Sequence, residues 1–193
     1  MRLYARTRRT TVLYAVALLV GASSAMATPQ VSFPTVIGSG GTTLPINAIL
    51  PTVLGCAIAW SLSARFTHLT DNAARETGWL DVLLALGAVV VVAIGGLLVL
   101  APDLVVLRNA VLTVGISVAG TAIFTPAAGS LLTASALIVS LTYGPTAPGA
   151  RFARLFQAPS DQTWPWAISI LALAVALAAA ACRPWPHHQQ VLL

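Results

Sequence analysis

Long apolar runs, broken at short intervals by Pro, Gly and Arg, dominate this chain. A helix that crosses a hydrocarbon layer of about 30 Å needs roughly 20 largely apolar residues, with every amide bonded internally. Six segments meet or approach that requirement: 10–27, 44–64, 79–100, 104–124, 127–143 and 164–182. The second contains Pro51, and the third includes the unbroken apolar stretch Val89 to Ile94. The fourth and fifth are joined by the short turn Thr125-Pro126 and are together only just long enough for two crossings. They predict two full crossings or a re-entrant hairpin, and both versions leave the flanking loops on one side. The expected fold is all-α: a polytopic transmembrane helical bundle of about six spans, forming a single membrane domain over residues 1–193.

Composition narrows the class further. Of the 193 residues, 58% are hydrophobic and 8% charged, whereas a soluble domain carries about a quarter of its residues as Asp, Glu, Lys and Arg. A water-soluble globule cannot be coated from that supply, which excludes a soluble enzyme, a disordered tail and a free nucleic-acid-binding domain. Cys56 and Cys182 lie in apolar runs without partners at metal-ligand spacing. Every one of the 10 basic residues is Arg, so no phosphate loop ending in Gly-Lys-Ser/Thr exists. His187 and His188 sit in the tail, and Ala128-Gly129-Ser130 has no span histidine to activate its serine. Neither a cofactor nor a metal nor a catalytic residue is expected.

Orientation follows from the arginines. Arg2, Arg6, Arg8 and Arg9 crowd the N-terminus, which places that end in the cytoplasm. Six crossings return the C-terminus, with Arg183, to the same side, together with the loop 65–78 and its Arg65 and Arg75. Arg108, Arg151 and Arg154 are the exceptions, on the external side. Trp60, Trp79, Trp164, Trp166 and Trp185 all fall near span ends, at the headgroup level that indole prefers. A competing view takes the four N-terminal arginines, the apolar stretch 11–20 and Ala25-Met26-Ala27 as a secretory signal, which would leave five spans after cleavage.

In the loop 65–78, Phe66, Leu69 and Ala73 recur at helical spacing, with Asp71, Arg75 and Glu76 on the opposite face. Such a segment suits a helix on the headgroups, a solvated connector or a docking element for a cytoplasmic partner. In the external interfacial segment 144–163, Phe152, Leu155 and Phe156 stand at i, i+3 and i+4 beside Arg151 and Arg154, the pattern of a short amphipathic interfacial helix. The Gly-rich run 38–41, in the uncharged segment 29–43, reads as a flexible turn. Small residues recur four apart in three spans: Gly21 and Ala25, Gly115 and Ala119, and Ala172, Ala176 and Ala180. They predict close helix packing in a compact bundle or an oligomer.

No Asp, Glu, His or Lys falls at mid-span depth, and Asp103 with Arg108 is expected as a pair at the external rim, or with Arg108 snorkelling. The mild polar residues Asn47, Ser117, Thr121, Ser130, Thr133, Ser135, Ser140 and Ser169 fit helix–helix hydrogen bonds or the lining of a weakly polar path.

This layout resembles the membrane subunits of ABC-2-type exporters: six spans, both ends cytoplasmic, a cytoplasmic helix between spans two and three, and external helices between spans five and six. The resemblance covers the whole chain as topology, without a diagnostic motif. It implies a permease subunit that pairs with a second membrane subunit, binds a separate cytoplasmic ATPase through 65–78 and moves an amphiphilic or apolar cargo. The Arg-only, Ala-rich composition looks like that of a GC-rich bacterium, which implies a multi-pass protein of the bacterial plasma membrane. Two alternatives are a non-catalytic accessory subunit of a larger membrane complex, and a membrane enzyme acting on lipid headgroups through His68, Asp71 or Glu76.

Overall fold

The computed structural model describes residues 9–25, 30–34, 41–63, 78–100, 103–142 and 154–181. They form six α-helices: α1 Thr10–Ala22, α2 Ile46–Ser63, α3 Gly78–Leu98, α4 Leu104–Ile123, α5 Pro126–Thr142 and α6 Thr163–Ala181. Single 3-10 turns follow α1 at Ser23–Ala25 and precede α6 at Arg154–Gln157. Three helices are long and apolar enough to cross a membrane: Trp79–Leu98, Leu104–Ile123 and Thr163–Ala181. The others are shorter, and α5, with 17 residues, reaches only about 25 Å at 1.5 Å per residue.

Helix boundaries follow local chemistry. Asp103 caps α4, its Oδ1 accepting from the Val105 N–H at 2.8 Å, which also sets a carboxylate against the positive helix end. Thr125 caps α5 through the Ala128 N–H at 3.2 Å, and Pro126 opens that helix where its missing N–H costs nothing. Pro165 is accommodated in the first turn of α6 for the same reason. Beyond the end of α3, Leu100 takes a left-handed conformation (φ 53°), the geometry that commonly ends helices.

Among the described residues, the structure departs from a purely helical chain in one strand pair. Strands β1 Gln30–Pro34 and β2 Gly41–Pro45 pair antiparallel, with Val31 opposite Leu44 and Phe33 opposite Thr42. Pro34 and Pro45 stand at strand ends, where a missing N–H disrupts least. The segment expected as an uncharged loop is therefore partly a hairpin, and β2 runs directly into α2.

The six helices alternate in direction. The Arg9 guanidinium stacks on Trp60, 3.9 Å from the ring centroid, so the start of α1 and the end of α2 share one end of the bundle. Tyr14 covers Gly87, and further along Gly21 meets Gly95, so α1 and α3 run parallel. The start of α4 and the end of α5 both return to the 154–159 segment, since Arg108 bonds Ala158 O and Gln157 bonds Ser140 O. Thus α4 and α5 lie side by side as an antiparallel pair joined at Phe124-Thr125. Helix α4 is the axis: it touches each of the other five helices, and 72% of its apolar window is buried, against 22% for α6.

Candidate functional site

The most unusual side chain is Arg108, in the second turn of α4, which is 0% exposed. Its Nη1 donates to Ala158 O at 2.6 Å and Pro159 O at 3.2 Å. Its Nη2 donates to Asn109 Oδ1 at 3.0 Å, Leu155 O at 3.2 Å and Phe156 O at 3.4 Å. Nε donates to Asn109 Oδ1 at 3.3 Å, and Asn109 Nδ2 reaches Phe156 O at 2.9 Å. All five N–H groups of the fork therefore have acceptors.

Electrostatics explain why a cation is held here. A 3-10 turn leaves its last carbonyls unbonded and presents a partial negative charge at that end. Arg108 and Asn109 donate to Leu155, Phe156, Ala158 and Pro159, the last also accepting from the Gln162 N–H, so α4 grips the turn that precedes α6. A guanidinium stays charged and, with its donors used, has none left for a proton transfer or an anion. Chemically the arrangement is a clamp.

This corrects one expectation. Arg108 does not snorkel; it is buried because four backbone oxygens and one amide oxygen replace its hydration. Of the segment expected as an external interfacial helix, Arg154–Gln157 forms a 3-10 turn. Phe156 is 2% exposed and packs into the bundle, because the clamp draws its carbonyl inward; Leu155 is half-buried. Arg151 and Phe152 lie outside the described residues.

Below the clamp, polar residues continue along α4 at every fourth position: Asn109, Thr113, Ser117 and Thr121, all buried. Thr113 Oγ1 donates to Pro51 O at 2.8 Å, and Ser117 Oγ donates to Gly55 O at 2.6 Å. Two hydroxyls four apart on α4 thus meet two carbonyls four apart on α2. Thr121 Oγ1 has no hydrogen-bond partner among the described residues. Cys56, a free thiol, approaches Ser130 O at 3.9 Å.

Of the small residues marked by spacing, Gly21 lies against the backbone of Val92 and Gly95, and a Cβ at Gly115 would come within 2.7 Å of Leu173 N and 2.8 Å of Ala172 C. Ala119 packs against the core, and Ala176 and Ala180 are buried in it. Ala25 lies exposed in the 3-10 turn after α1. Phe66, Leu69, Asp71, Arg75 and Glu76 fall outside the described residues, as does His68. No three His, Cys, Asp or Glu come together among the described residues in a way that could hold a metal.

The sequence reading passed over Asn109 and Thr113. The available signal was the pair Arg108-Asn109 one turn inside an otherwise uncharged apolar helix, since an ionisable residue within such a segment is costly to keep. Compared with protein-family models, curated proteins and solved structures, the chain matches none.

Proposed function

We propose that the chain is the membrane-embedded permease subunit of an ATP-driven exporter, a multi-pass half that pairs with a second membrane subunit. The observation that carries this reading is the filled interior. Five helices enclose α4, and glycines bring backbones into contact at the Gly21–Gly95 and Gly115–Ala172 crossings. A cargo path through such a chain lies between two copies, or between this chain and a related subunit. The outward faces carry large apolar side chains, among them Leu83, Val90, Leu131, Ile138, Ile170 and Leu171, which suits both lipid and an amphiphilic or apolar cargo.

In this reading the end of the bundle with Arg9 and Trp60 is cytoplasmic. The loop 65–78 receives a separate ATPase, and the clamp at Arg108 marks the external end. ATP-driven closure then alternates access without an ionisable group at mid-depth.

The test is co-purification from native membranes in mild detergent. The expected result is an ATPase subunit bound to the chain, lost when Asp71, Arg75 and Glu76 are changed together to Ala. A large membrane complex without an ATPase would overturn the exporter reading in favour of an accessory subunit. Turnover of lipid headgroups by the chain alone, abolished by His68→Ala, would overturn it in favour of an enzyme.

A further inference from the structure

The described side chains include two arginines, Arg9 and Arg108, at opposite ends of the bundle. They are held in contrasting ways. Arg108 has its five N–H groups engaged by protein oxygens. Arg9, where α1 begins, is exposed, and its fork has no hydrogen-bond acceptor among the described residues. What fixes Arg9 is Trp60, on which the guanidinium lies 3.9 Å from the ring centroid. The Arg9 backbone is left-handed (φ 50°), a costly conformation for a residue other than glycine. A stacked guanidinium uses its flat face, so the N–H groups along its edge stay open to an acceptor outside the bundle.

The depth of that edge follows from the indoles. Trp60 and Trp79 are 46% and 61% exposed. Helices α1 and α3 run parallel and α2 ends beside the start of α1, so both rings lie at the Arg9 end. Exposed indoles prefer the headgroup level, which sets the Arg9 fork at the depth of the lipid phosphates. The local sequence adds charge of one sign: Arg2, Arg6 and Arg8 precede Arg9, and no Asp or Glu occurs before Asp71. Asp81, the carboxylate described at the start of α3, is 7% exposed. A phosphate matches the planar fork with two oxygens at once, in the geometry that favours arginine over other cations.

We infer that this end of the bundle binds anionic phospholipids, the Arg9 fork holding a headgroup phosphate beside Trp60. A zwitterionic lipid carries the same phosphate, but its own ammonium competes with the arginines, so net charge decides the preference. The inference rests on the chain lying in lipid and not on the exporter reading. Finding no ATPase partner would leave it standing.

The full-length chain, purified in mild detergent with equal amounts of phosphatidylglycerol and phosphatidylcholine, is read by native mass spectrometry. The expected result is phosphatidylglycerol retained about fivefold or more over phosphatidylcholine, the effect of one arginine beside an anionic surface. Arg9→Gln lowers that preference about fivefold, with thermal unfolding as the check that the chain remains folded. Arg154→Gln, in the 3-10 turn at the opposite end, removes the same charge and leaves the preference as it was. Equal retention of the two lipids by the unaltered chain, an unchanged preference in Arg9→Gln, or an equal fall in Arg154→Gln would overturn the inference. So would loss of a co-purifying protein in Arg9→Gln with the lipid preference intact, which would assign this end to a protein partner.

Discussion

Replacing Arg108 by Met removes the guanidinium while keeping an unbranched apolar stem. Four carbonyls, of Leu155, Phe156, Ala158 and Pro159, then lose donors; Phe156 O keeps one from Asn109 Nδ2 and Pro159 O keeps one from the Gln162 N–H. A buried acceptor left without a donor costs about 1–3 kcal/mol. Against this stands the desolvation of the guanidinium itself, several kcal/mol for a buried ion, which the substitution returns. Two orphaned carbonyls less part of that return give a net loss of about 2 kcal/mol at the clamp. Asn109→Ala acts differently: the charge stays buried, but Nε and Nη2 lose their shared acceptor, at about 2 kcal/mol for a bond to a charged group. Arg108→Lys keeps the charge but loses the planar fork, and falls between the parent and the Met variant. Hydrogen exchange at residues 155–166, with the chain in detergent micelles, reads the effect locally. A loss of about 2 kcal/mol corresponds to roughly thirtyfold faster exchange wherever local opening controls it, with residues 82–92 of α3 much less affected. Unchanged exchange in Arg108→Met would show that the carbonyls do not depend on Arg108 and would refute the clamp.

Helix crossings and hydroxyl bonds give two further tests. Gly115→Leu puts a side chain where even a Cβ meets Leu173 N at 2.7 Å, so α6 must shift. We expect a loss of about 1–3 kcal/mol or more in detergent unfolding, while the same change at exposed Ala174 on α6 has little effect. Ser117→Ala, which removes the 2.6 Å bond to Gly55 O, is expected to destabilise by about 0.6 kcal/mol, the usual size between helices in lipid. Thr121→Val is expected to be neutral or stabilising, because the Thr121 hydroxyl has no partner to lose among the described residues. A destabilising Thr121→Val, measured in the same unfolding assay, would contradict that assignment.

Helix positions were legible because an apolar run ends where capping residues and prolines appear. The segment 104–124 became Leu104–Ile123 between Asp103 and the Phe124-Thr125 turn, and 164–182 became Thr163–Ala181 over the described residues. The first segment, 10–27, was less so: the α-helix ends at Ala22, where Ser23 and Ser24 turn their hydroxyls back onto Val20 O and Gly21 O. The hairpin went unread although Val31 and Phe33 alternate with Ser32 ahead of a Gly-rich turn, because two five-residue strands offer too few positions to separate from a loop. Asn109 was passed over, and the burial of Arg108 went unread, for another reason. Spacing shows which residues share a helix face, but not that carbonyls about 50 positions later would come to meet them. Long-range partners of that kind are set by the packing of α4 against α6.

The placement of polarity bears on the surrounding solvent. The buried set includes Arg108, Asn109, Thr113, Ser117, Thr121 and Thr133, whereas Leu19, Leu98, Leu100 and Leu131 are between 66% and 92% exposed. In water this distribution is doubly unfavourable. Each exposed Leu forfeits about 1.5–3 kcal/mol that burial would supply, and each buried hydroxyl gives up hydration for one modest bond. In hydrocarbon both signs change. An outward Leu costs nothing, and a hydroxyl or guanidinium gains by turning inward to a carbonyl, because the alternative is an unpaired polar group in lipid. The axial position of α4 follows directly. Of the three helices long and apolar enough to cross a membrane, it carries the charge at Arg108 and the four-spaced polar row, so hydrocarbon would drive it to the centre, while the mainly apolar α6 remains at the surface.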